Sequence, residues 1–145
     1  MTDKSINGFL KIAASIPRWV PSIITVLVIL WLTLSPDPLG KDSPRLFPGA
    51  DKVAHALMFG GLTVMILFDH TRRDRWRPAT VKFATIAAAA STILGCIVEF
   101  AQLIMNVGRG FEYTDMVADL VGADICAVGW IILINPLLSR LDTQQ

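Results

Sequence analysis

The chain has 145 residues, 53% of them hydrophobic and 17% charged, with a formal net charge of +1. A water-soluble domain carries about a quarter charged residues, and a mean hydropathy of +0.55 argues against one. The near-zero net charge excludes a general electrostatic attraction to nucleic acid, and the length suits one domain or about four membrane helices of ~20 residues each.

Residues 1–18 set Lys4, Lys11 and Arg18 among Ile6, Phe9, Leu10 and Ile12, the pattern of a short amphipathic segment lying along a membrane surface. Trp19 marks headgroup depth, and Pro21 fits the first turn of a helix, where its missing N–H is not needed. A first apolar helix is expected over 20–34. No A-x-A site follows it, and Ser35-Pro36-Asp37-Pro38 occupies the place where cleavage would occur, so the helix reads as uncleaved. Residues 35–50 hold four prolines and two glycines and form a loop. A second helix follows over 51–68, then a short loop over 69–78 carrying Arg72, Arg73, Arg75 and Arg77. The third helix spans 79–105, with small residues at Ala87–Ala90, Ser91 and Gly95 for close helix packing. After a loop with Gly108 and Gly110, the fourth covers 115–138 and stops near Pro136. Cys96 and Cys126 lie inside apolar runs without a CxxC or histidine neighbour and read as packing residues.

The expectation is therefore an all-α membrane protein, one domain over 1–145, with four transmembrane helices after an amphipathic N-terminal segment. Counting Lys and Arg orients it. With the N-terminus inside, the inner segments hold Lys4, Lys11, Arg18, Arg72, Arg73, Arg75, Arg77, Lys82 and Arg140. The outer segments hold Lys41, Arg45, Lys52 and Arg109. Nine against four puts both termini inside, and the basic loop at 72–77 is mostly a topology signal.

That topology brings distant polar residues to one depth. Asp51, Lys52 and His55 begin the second helix, Glu99 and Gln102 end the third, Arg109 sits in the outer loop, and Asp115 and Asp119 begin the fourth. Spacings of three and four put Lys52 with His55, Glu99 with Gln102, and Asp115 with Asp119 and Gly122 on shared helix faces. Ionisable groups at membrane depth are functional candidates. His55, Glu99 and Asp115 are the candidate acid and base residues. Lys52, Gln102, Arg109 and Asp119 are the candidate ligand-binding residues, with Lys52, Arg109 and two helix N-termini suited to an anion. Structural alternatives stand beside these roles: Asp115 as a helix cap, Lys52 snorkelling to the interface, and a Glu99–Arg109 pair pinning the loop. His55, Glu99, Asp115 and Asp119 also offer nitrogen and oxygen donors of the kind metals take. No HExxH or paired-histidine motif supports a metal, so none is assigned, and no cofactor is expected. Asp124, nine residues after Asp115, turns to the opposite face, where it holds a buried hydrogen bond or meets a partner helix.

The series Asp51-Lys52-x-x-His55-x-x-x-Phe59, Glu99-x-x-Gln102, and Arg109-x-Phe111-x-x-x-Asp115-x-x-x-Asp119-x-x-Gly122 resembles the VanZ-like family of small bacterial membrane proteins, over about residues 20–135. The resemblance implies a four-helix domain in the cytoplasmic membrane, with recurrent polar positions matching Lys52, His55, Glu99, Gln102, Arg109 and Asp115. Its namesake is linked to resistance to teicoplanin, a lipid-tailed glycopeptide that binds cell-wall precursors. Asp119 departs from the family pattern, which usually has Asn there. The function expected is binding or processing of an amphipathic cell-envelope ligand at the outer leaflet: a membrane lipid, a lipid-linked anionic precursor or a lipid-tailed glycopeptide. Whether chemistry follows binding stays open, and the alternative is a non-catalytic structural or regulatory partner of an envelope complex.

Overall fold

Backbone N–H and C=O groups in an apolar medium must be satisfied internally, and a helix is the simplest way a single segment does so. The computed structural model, which describes residues 8, 12–13, 15–36, 47–105 and 111–142 (the side chains of 141 and 142 excepted), is all-helical over its regular elements. The helices are α1 (Val20–Leu34), α2 (Ala50–Arg73), α3 (Val81–Met105), α4 (Tyr113–Gly129) and α5 (Asn135–Asp142), with a π-helical turn at Trp130–Ile134 joining the last two. Three continuous stretches, Ala50–Arg73, Val81–Met105 and Tyr113–Arg140, are long and apolar enough to cross a membrane. The expected first span has only 15 residues, about 22 Å of helix against a hydrocarbon core of ~30 Å.

Most helix ends fall within two residues of expectation, and two run well past it. α2 runs on to Arg73 instead of stopping at Phe68, which takes Asp69, His70, Arg72 and Arg73 out of the anticipated loop. The extra turn is held by an Asp69–Arg72 pair and by Arg72 donating to the carbonyls of Ala13, Ile16 and Pro17. Nor does Pro136 end the chain's helical path. Proline lacks an N–H and crowds the carbonyl four residues earlier, and the π turn widens the helix just before it. Asn135 then clamps the junction, accepting from the Ala79 N–H at 3.0 Å and donating to the Ala79 carbonyl at 2.8 Å.

α4 packs most extensively on α2 and next on α3, while α1 packs on α2 and, less, on α3. Close approach is bought by glycine: a Cβ at Gly122 of α4 would lie 2.1 Å from the Ala56 carbonyl oxygen of α2. The side-chain distribution is inverted relative to a water-soluble bundle. Ile24, Leu27, Trp31, Leu57, Ile93, Ile97, Ile104 and Ile125 face outward. Thr33, Thr63, Ser91, Glu99 and Asp119 are wholly buried, with Thr63 donating to Ser91 across α2 and α3 at 2.9 Å. Cys96 and Cys126 are free and half-buried.

Candidate functional site

The buried stripe of α3 starts with Ala84, Ala87, Ala88, Ser91 and Gly95 and ends with Val98, Glu99 and Gln102. Its small residues let α2 and α4 close in, so the carboxylate at its far end meets their first turns. His55 of α2 is buried there. Its Nδ1 lies 3.0 Å from Asp119 Oδ1 of α4. With Asp119 ionised the carboxylate only accepts, which puts a proton on Nδ1; in the neutral ring Nε2 then presents its lone pair. Nε2 faces Glu99 Oε1 at 3.9 Å and Asp115 Oδ2 at 3.8 Å, distances too long for hydrogen bonds.

Lys52 lies one turn nearer the surface. Its Nζ donates to Glu112 Oε2 at 2.8 Å, Asp51 Oδ2 at 3.0 Å and Asp115 Oδ1 at 3.1 Å. Asp115 thus touches Lys52 with one oxygen and turns the other toward His55. The Lys52 ammonium beside exposed Glu112 also holds that carboxyl below the usual carboxylate range. The Glu112 backbone N–H donates to Glu99 Oε2 at 3.0 Å. Glu99 Oε1 and Asp119 Oδ2 are buried with no hydrogen-bond partner. Asp119 fits only because α3 has Gly95, where a Cβ would come within 2.2 Å of Oδ2.

Of the residues singled out by sequence, Lys52, His55, Glu99, Asp115 and Asp119 converge. Gln102 does not join them: it is buried and donates from Nε2 to the Thr33 carbonyl at 2.9 Å, tying α3 to the end of α1. Arg109, and with it the anticipated Glu99–Arg109 pair, lies outside the described residues. Asp115 is not a helix cap. Glu112 holds the N-cap position of α4 and makes no side-chain cap bond, while Asp115 sits in the first turn with its carboxylate directed inward. Asp124 lies on the face opposite Asp115, but it is exposed there and does not hold the buried hydrogen bond that was one expectation for it; it lines a groove of about 390 Å³ with Ala84, Ala88 and Ala127. Glu112 joins the site without being among the residues that helical spacing singles out. Its only sequence signal is an acidic residue just ahead of a helix, which the structure starts at Tyr113 and not at the expected 115.

Apolar helices around an interior that gathers carboxylates and a histidine at one end define a small helical membrane protein with a buried ionisable site. The family model described as VanZ/LLP1 matches residues 11–135, and the chain belongs to that family. Every residue proposed for the site from sequence falls inside that match, Arg109 included. No curated protein and no solved structure matches the chain significantly.

Proposed function

We propose that the chain is a multi-pass protein of the bacterial cytoplasmic membrane, both termini inside, that binds or processes an amphipathic cell-envelope ligand at the outer leaflet. The observation that carries this reading is the His55–Glu99–Asp115–Asp119 cluster, buried at one end of a bundle whose outer surface is apolar. A molecule with a polar head and a lipid tail suits both surroundings at once: its head reaches the cluster while its tail stays beside Leu57 and Ile104. A lipid-linked cell-wall precursor or a lipid-tailed glycopeptide has that form.

The chemistry available is proton transfer. His55, oriented through Nδ1 by Asp119, presents Nε2 as a base, and Glu99 or Asp115 would serve as its acid partner. Asp119 acts on His55 as a positioning carboxylate, the logic by which catalytic histidines are held in one tautomer. Lys52 already contacts three carboxylates, so an anionic head would have to displace one of them. Lipid mass spectrometry of cells with and without the chain tests the reading. An intermediate that shifts with the wild-type chain and not with His55→Ala supports processing. Altered glycopeptide sensitivity with an unchanged lipid profile supports binding without chemistry. A lipid profile and sensitivity both indifferent to the chain would sink the proposal.

A second reading, a structural or regulatory partner within an envelope complex, is favoured by outward-facing Asp124, since a carboxylate turned toward hydrocarbon is costly without a partner.

A further inference from the structure

We propose that His55 Nε2, Glu99 Oε1 and Asp115 Oδ2 are the protein ligands of a divalent transition-metal ion, with zinc the best match to the donors. These three residues each offer one donor atom, and the three atoms lie within 4.8 Å of one another. The separations of 3.9 Å and 3.8 Å from Nε2 are too long for hydrogen bonds. They suit atoms on either side of an ion, because zinc sits about 2.0–2.2 Å from imidazole nitrogen and carboxylate oxygen. One imidazole and two carboxylates form the mixed nitrogen and oxygen set that borderline metals prefer over magnesium or calcium.

Two further features point to a ligand. Glu99 is wholly buried, yet its Oε1 has no hydrogen-bond partner and faces Nε2. A buried carboxylate oxygen left in that state is costly unless something positive meets it. The outer shell is also in place. Asp119 accepts from His55 Nδ1, the carboxylate–histidine arrangement that fixes the tautomer and orientation of a metal-ligating histidine, and the Glu112 N–H steadies Glu99 through Oε2.

The neighbouring acidic trio, Asp51, Glu112 and Asp115, has the same donor spacing but already surrounds the Lys52 ammonium. Asp115 belongs to both trios and divides its oxygens between them: Oδ1 to Lys52, Oδ2 to the metal position. Three protein ligands leave a coordination position open, as in catalytic zinc sites. Resting on the outer-leaflet reading, but with Nε2 given to the metal and so no longer the base, that open position would take a phosphate or carboxylate oxygen of the ligand's head. This also gives an anion a place that Lys52, shared among three carboxylates, does not provide.

The test is metal analysis of the full chain, purified in detergent, stripped with chelator and dialysed against zinc, followed by calorimetric titration with zinc. About one zinc ion per chain is expected. His55→Ala and Glu99→Gln should abolish saturable binding, and Asp119→Asn should weaken it roughly 10-fold to 100-fold. Asp115→Asn, nearer the surface, serves if either deeper variant fails to fold by circular dichroism, and should also lose the ion. His70, the only other histidine, stacks on Phe83 toward the far end of α2, so His70→Ala should bind as wild type. Absence of saturable zinc binding by the folded wild-type chain would overturn the proposal. So would binding that His70→Ala removes and His55→Ala does not. Because the readout is metal content, it is separate from the cellular readouts: a chain that loads zinc but changes neither the lipid profile nor glycopeptide sensitivity keeps the metal site and loses the outer-leaflet reading.

Discussion

The bundle buries charge at both ends of α2, and the two ends are built differently. Near its C-terminus, Asp69 takes Arg72 on one oxygen and the Ser22 N–H and hydroxyl on the other, at 3.0 Å and 2.6 Å. Arg72 spends its remaining donors on the carbonyls of Ala13, Ile16 and Pro17 at 2.6–2.9 Å. One carboxylate meets one guanidinium and every polar atom has a partner. Fourteen residues earlier, about 21 Å along the helix, carboxylates from three segments crowd one histidine and one lysine, and two buried carboxylate oxygens have no partner. A charge cluster built to hold a fold is neutral and saturated. A cluster short of partners is held in place by the fold around it, and it is where a proton, a metal or a ligand gains most.

Breaking the saturated end should have the largest effect on stability. Arg72→Ala leaves Asp69 buried opposite an empty place and frees three carbonyls, so a loss of about 3–5 kcal/mol is expected, read by thermal or denaturant unfolding in detergent. Gly122→Ala drives a Cβ into the Ala56 carbonyl and should cost about 1–3 kcal/mol by forcing α2 and α4 apart, in the same assay. Glu99→Gln sharpens the contrast, because it removes charge from an oxygen that no hydrogen bond satisfies. Its stability should stay within about 1 kcal/mol of wild type while function in cells is lost. A destabilisation as large as that of Arg72→Ala would instead make the unsaturated end structural.

The smallest effect concerns the Lys52–Glu112 contact at the mouth of the site. The folded-state value of Glu112 is lowered from 4.5 by its bond to Lys52. The contact is therefore fully present above about pH 4.5 and is lost as pH falls through the lower folded value. Both partners are solvent-accessible, so added salt should weaken the effect further. Comparing wild type with Glu112→Gln at pH 7 and in the acid range, by chemical shift of the Lys52 ammonium environment, measures it. An identical acid response in both proteins would rule out Glu112 as its source.

Helical spacing made much of the site legible. Asp115 and Asp119, four apart, do share a buried face, and Lys52 and His55, three apart, both reach Asp115. The same rule misled for Gln102. Three residues advance a helix by 300°, and the remaining 60° turns Gln102 from the cluster toward Thr33 of α1. Glu112 is not legible in this way, because periodicity has no purchase on a residue outside a helix. In sequence Asp69 and Arg72 look like loop and topology signals, because their partners, Ser22 and the carbonyls of Ala13, Ile16 and Pro17, are distant along the chain.

The sequence by itself determined the all-helical class, the apolar stretches and the stripe that puts Glu99 below a run of small residues, since hydropathy and a 3.6-residue period are local properties. Tertiary structure alone decided which oxygen of each carboxylate finds a partner. That depends on the approach of three helices at Gly95 and Gly122, where a Cβ would lie only 2.2 Å and 2.1 Å from the facing atoms. Whether a buried charge is saturated or left open is a matter of such distances, and residue order does not specify them.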